Sequence, residues 1–157
     1  MERVTQVICG ATGIGKTTIV KENKYSVVEV ETGKYRWNDS QATCLDEVPE
    51  NSDWPGNYCE AVTGLIGTVD MILVSSHREV VEEFLRREIP VTLVYPDRSQ
   101  KEAYRQRYEG RGNPKWLVKL LTENYDNWIA AAISQQGCRH IVLQSGQYLA
   151  DVVPQIR

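Results

Sequence analysis

Gly10, Gly15, Lys16 and Thr17 stand in the spacing GxxxxGK[ST] inside the nonapeptide GATGIGKTT, residues 10 to 18. Small residues let successive main-chain N–H groups turn inward as an anion nest, and a helix beginning there adds the positive end of its dipole. A single ammonium suits the β- and γ-phosphates, and a hydroxyl beside it suits Mg²⁺. The ligand this describes is a nucleoside triphosphate. Gly10, Thr12, Gly13, Ile14, Gly15, Lys16, Thr17 and Thr18 form its cradle, with ATP as donor and Mg²⁺ on Thr17. A dinucleotide is excluded because GxGxxG is absent.

Three further groups bear on what happens to the phosphate. Arg98, Lys101, Arg105, Arg107 and Arg111 fall within fourteen residues beside the sequence GRGN. Lys101 and Arg105 share one helical face and Arg107 and Arg111 another. Arginines of this kind can close over phosphates and neutralise charge in transfer; a solvated helix paired with Asp97, Glu102 and Glu109 is the competing reading. Glu31, with Glu29 two residues before it, ends a predicted strand at the edge where ligands bind in such sheets. Glu31 can serve as general base or hold an acceptor, or be a plain surface acid. Lys34, Tyr35, Trp37, Trp54, Tyr58 and His77 surround the same region; the aromatic faces can stack on a base, with core packing as the alternative.

These residues need elements to hold them. Apolar runs at 3–9, 26–31, 69–76, 91–96 and 139–144 predict five strands alternating with helices, hence a parallel sheet covered on both faces. Val80, Val81, Phe84 and Leu85 mark one face of a helix over 77–89. A longer helix follows Pro114, and its apolar repeat assigns Trp116 and Trp128 to the core. Residues 38–54 are polar and broken by Pro49, which predicts a surface loop. His140 opens a strand and is expected to be structural.

With 157 residues, 41% hydrophobic and 25% charged, the chain suits one domain. No window predicts a membrane span, and the early first strand implies no cleaved leader, so the expected location is cytoplasmic. Cys9, Cys44, Cys59 and Cys138 form no CxxC pair, so neither zinc nor a disulfide framework is expected. A net charge of -3 confines any nucleic-acid contact to a local patch. No strand ends in the hhhhD pattern common in switch GTPases and large ATPases.

The pieces GATGIGKTT, EVETGKYRW, DWPGNY, ILVSSHREVVEEFL and LVYPDRSQKEAYRQRYEGRGN resemble small P-loop kinases of the nucleoside and nucleotide kinase kind, some of them phage-encoded. The resemblance implies a three-layer α/β P-loop fold with a five-stranded parallel sheet in order 2-3-1-4-5. It also implies an acceptor site beyond the second strand and an arginine-rich lid over about 98–113. Lys16, Thr17, Glu31, Arg107 and Arg111 are the functional residues it points to, with Arg105 joining them in the lid. The stretch between the second and third strands offers only Lys34 and Arg36 to an acceptor phosphate, where nucleotide kinases carry a longer insertion.

The expectation is therefore a kinase that passes the γ-phosphoryl of ATP to a nucleotide or nucleoside-like acceptor. A DNA-modifying kinase acting on a hydroxymethyl base or polynucleotide hydroxyl is one alternative. A nucleotide-dependent binding module with slow hydrolysis is the other.

Overall fold

The computed structural model describes residues 4–22, 24–37 and 49–156. Five parallel strands run β1 Gln6–Gly10, β2 Val27–Glu29, β3 Met71–Ser75, β4 Thr92–Pro96 and β5 Arg139–Leu143. Their order across the sheet is β2-β3-β1-β4-β5, as expected. Central strands β1, β3 and β4 are almost wholly buried, which explains their continuous apolar sequences.

The helices are α1 Lys16–Lys21, α2 Gly33–Arg36, α3 Gly56–Thr63, α4 Arg78–Arg86, α5 Lys101–Gly110, α6 Lys115–Ser134 and α7 Leu149–Ile156. The step from β1 to β2 runs opposite to those from β3 to β4 and from β4 to β5. Right-handed crossovers therefore put α1 on one face and α3, α4 and α6 on the other. Packing agrees, since α7 lies against α1 and α3 against α4. Val80, Val81 and Phe84 seat α4, each side chain of this size stabilising by about 1.5–3 kcal/mol when fully buried.

Helix α6 differs from its expected packing. Its buried stripe is Val118, Leu121, Tyr125 and Ile129, while Trp116 is 62% and Trp128 46% exposed. Apolar residues run round more than one face of this helix, and only the stripe turned to the sheet and α5 finds a partner. The tryptophans therefore fall outside the core. Helix α7 carries no strong sequence signal because Pro154 interrupts it, yet Leu149, Val152, Val153 and Ile156 complete the core.

Residues 38–48 of the expected surface loop, with Cys44, lie outside the described residues. Its end does not stay on the surface: Trp54 is buried. Cys9, Cys59 and Cys138 are free thiols, the first two buried. His140 is structural as expected: its Nε2–H faces the Gln135 carbonyl at 2.7 Å, and its Nδ1 receives the Tyr95 hydroxyl at 2.8 Å. Among the described residues no helix is long and apolar enough to cross a membrane.

Candidate active site

The glycine-rich turn leaves β1 at Gly10, is tied to β4 by Ala11 N–H donating to the Val94 carbonyl at 3.1 Å, and enters α1 at Lys16. Gly13 and Gly15 have φ of 87° and 98°, the left-handed region that L side chains rarely adopt. A side chain at either position would also be crowded. A Cβ on Gly13 would stand 3.2 Å from Tyr108 and 3.3 Å from Tyr104, and one on Gly15 would stand 3.2 Å from Tyr148. Ile14 points the other way, fully buried, so it anchors the turn rather than lining the cleft. Its carbonyl accepts from Leu149 N–H at 2.8 Å, which pins the start of α7 beneath the turn.

Lys16 Nζ donates to the Gly10 carbonyl at 2.9 Å, folding the ammonium back across the nest. Burial holds its pKa below the ordinary 10.5. Glu29 opposes that most, followed by Cys9, while Arg111 reinforces it and Glu31 opposes it least. One ammonium thus lies in the fields of both strand-end carboxylates and an arginine. Of the two acids, Glu29 acts on Lys16 the more strongly.

Helix α5 sorts its arginines by face. Arg107 donates to the Gly13 carbonyl at 3.0 Å and the Gln147 carbonyl at 3.2 Å. Its guanidinium lies over the rings of Tyr148 and Tyr104 at 3.9 and 4.3 Å. Arg107 therefore clamps the helix onto the turn. Arg111, just past the helix end, also lines the cleft. Arg105 does not: it is held on the outer face by Glu102 and Glu109, because two residues of helix turn it about 200° from Arg107. Lys101 pairs with Asp126 at 2.7 Å and belongs to the helix-to-helix contact.

On the side of β2, Glu31, Thr32 and His77 line the cleft. Lys34, Tyr35, Trp37, Trp54 and Tyr58 do not. Trp54 is 8% exposed and donates from Nε1 to Glu79 at 3.4 Å. Tyr58 is fully buried; its hydroxyl donates to the Val30 carbonyl at 2.6 Å and accepts from Ser75 N–H at 3.1 Å. The two rings pack on each other, and Tyr35 packs edge-on to Tyr58. Stacking on a substrate is closed to Trp54 and Tyr58, whose faces are already covered by the core. Arg36 bonds His77 at 3.1 Å and Glu50 at 3.2 Å, with its guanidinium against Trp37 and Trp54.

The cleft itself, of about 1030 Å³, runs from the glycine-rich turn past Glu29, Glu31, Ser75 and His77 to a wall from α6. Glu79 lies in its lining too. No protein-family model matches the chain, and no curated protein matches its sequence. Among solved structures it is similar to a gluconokinase from Sinorhizobium meliloti 1021, with a TM-score of 0.54 and 17% identity. That match covers 99% of this chain and 89% of the other. The fold is that of a P-loop kinase. At this identity the likeness concerns the course of the backbone alone.

Thr17 and the carboxylates of Glu29 and Glu31 offer hard oxygen donors to the cleft beside the glycine-rich turn. That set fits Mg²⁺ by chemistry, Thr17 being its expected ligand. Among the cleft residues that the sequence reading did not propose are Tyr148, Ser75 and Trp128. Tyr148 lies in a loop with no motif, and Trp128 was assigned to the core by its periodicity. Ser75 ends β3, where the sequence shows a hydroxyl and no acid.

Proposed function

We propose that the protein is an ATP-dependent phosphotransferase acting on a nucleotide or nucleoside-like small molecule, a single catalytic unit with residues 98–113 as its lid. The observation carrying this reading is the convergence on one cleft of the phosphate nest, Lys16, Arg111 and the carboxylates Glu29 and Glu31. Main-chain amides of residues 10–18 and Lys16 hold the triphosphate, and Thr17 holds Mg²⁺. Bound Mg²⁺ supplies charge neutralisation on the phosphates.

The protein's own residues account for the rest. Glu29 keeps the Lys16 ammonium charged against its burial, which leaves Glu31, nearer the solvent, for the acceptor. As the acceptor oxygen bonds to the γ-phosphorus, its proton passes to Glu31 and the bond to the β–γ bridging oxygen breaks. That oxygen departs with ADP, and Glu31 then releases the proton to water. Arg111 balances the charge in transit, and Arg107 holds the lid helix against the turn.

The test is transfer from γ-labelled ATP with Mg²⁺ to a panel of nucleosides, nucleoside monophosphates and sugar acids. Glu31→Gln should lower transfer by about 10²- to 10⁴-fold while ATP binding persists. Release of ADP at one slow rate, with or without any acceptor, would instead describe a nucleotide-dependent binding module.

A further inference from the structure

We propose that the acceptor is an uncharged molecule of the nucleoside class, a flat ring with a free hydroxyl, and that Trp128 is the surface on which the ring stacks. The proposal rests on the kinase reading above and names its substrate.

The charges in the cleft divide unevenly. Among the described residues its lining holds the cations Lys16, Arg78, Arg107 and Arg111 and the carboxylates Glu29, Glu31 and Glu79. Lys16 belongs to the nest, Arg107 is bonded to Gly13, and Arg111 lies in the field of Lys16. These three serve the donor. Arg78 pairs with Glu82 at 2.9 Å along the exposed side of α4. Arg36 and Lys34, which the sequence offers to an acceptor anion, lie outside the lining: Arg36 is held by Glu50 and His77, and Lys34 lies over the Tyr35 ring. An acceptor phosphate or carboxylate would face three carboxylates with only the exposed, Glu82-paired Arg78 left to receive it, a like-charge arrangement that disfavours ionised ligands.

The opposite wall suits a ring. Helix α6 presents Trp128, Ile129, Ala131 and Ala132 to the cleft, backed by Leu93 and Val81. Trp128 keeps 46% of its surface open in this concave setting, although tryptophan is usually well covered. Small alanines beside it leave space along the indole face. Gln135, at the far end of the same wall, adds an amide able to hydrogen-bond a base edge. Glu31 and Ser75 line the same cleft, and on this proposal the hydroxyl carried by the ring meets Glu31, the proton then leaving as described above. A strand of DNA would bring its phosphates to the same acidic side, so a free nucleoside is the better occupant.

The experiment compares kcat/KM for nucleosides, their 5′-monophosphates, gluconate and hydroxymethyl-base DNA, with ATP held saturating. Nucleosides should exceed monophosphates by at least about ten-fold. Trp128→Ala should raise the nucleoside KM about 5- to 100-fold, the range expected for one lost base stack. Trp128→Phe should restore most of it, with the ATP KM and melting temperature unchanged in both variants. Preferred turnover of monophosphate, gluconate or DNA would overturn the proposal and leave the kinase reading standing. So would a nucleoside KM indifferent to Trp128. Binding of ATP without transfer to any acceptor would remove the kinase reading and this one with it.

Discussion

Arg36 Nη1 lies 3.1 Å from His77 Nε2. A guanidinium has only donors, so Nε2 must accept and the imidazole proton sits on Nδ1, facing Ser75 Oγ. Ser75 Oγ also accepts from the His77 main-chain N–H at 3.1 Å, which leaves its own hydroxyl proton for the cleft. An arginine beyond the cleft lining thus sets the polarity of a serine inside it.

This relationship predicts the titration of His77. Burial first, then Arg36 and Lys16, hold its pKa below 6.5, against an opposing pull from Glu79. Replacing Arg36 by Met should move the His77 imidazole resonance midpoint upward in an NMR titration. The sign for stability follows from linkage: the unfolded chain binds the proton more readily just below pH 6.5. The contribution is therefore complete above that value and is lost as pH falls through the folded pKa. His77→Gln should flatten this acid limb in urea melts run from pH 7 down to about pH 5.

Lys16 titrates in the other range. Its lowered pKa means that ATP affinity should decline as pH rises toward the alkaline side, earlier than an ordinary lysine would dictate. Glu29→Gln removes the strongest opposing field, so the decline should begin at still lower pH; Glu31→Gln should move it less. Lys16→Ala should weaken ATP binding about 10- to 100-fold, matching the loss of a charged hydrogen-bond donor. Calorimetric titration with Mg-ATP across pH reads all three.

The arginines of the lid should separate cleanly. Arg111→Ala should lower kcat about 10²- to 10³-fold with little change in melting temperature, as expected for a donor acting on charge in transfer. Arg107→Ala should destabilise the fold by about 2–3 kcal/mol, because the Gly13 and Gln147 carbonyls lose their partner and two tyrosine rings lose their stack. Arg105→Ala should leave both turnover and melting temperature unchanged, its partners being exposed carboxylates on the outer face.

The tryptophans should divide by burial rather than by motif. Trp54→Ala should cost about 3–5 kcal/mol in chemical denaturation, since it empties a packed site against Tyr58 and His77. Trp116→Ala, at an open position, should fall within about 0.5 kcal/mol of the parent.

The strands, their parallel character and the phosphate nest were legible along the chain, because each rests on local chemistry. Continuous apolar runs have no other place than a doubly covered sheet. Glycines at 13 and 15 allow the positive φ the turn needs, and a lysine followed by threonine places charge and hydroxyl at a helix start. The face-sharing of Arg107 and Arg111 also came from spacing alone, being a property of one helix.

Whatever depends on which face meets which neighbour was decided only in three dimensions. The periodicity of α6 could not tell a side chain pressed on the sheet from one turned into a cleft, so Trp128 lies in the cleft lining and not in the core. Tyr148 reaches Gly15 across more than 130 residues of chain, a contact no window of sequence contains. Local propensity therefore sets the elements and the glycine-rich turn, whereas the far wall of the cleft exists only because tertiary packing commits some aromatic faces to the core and leaves others open.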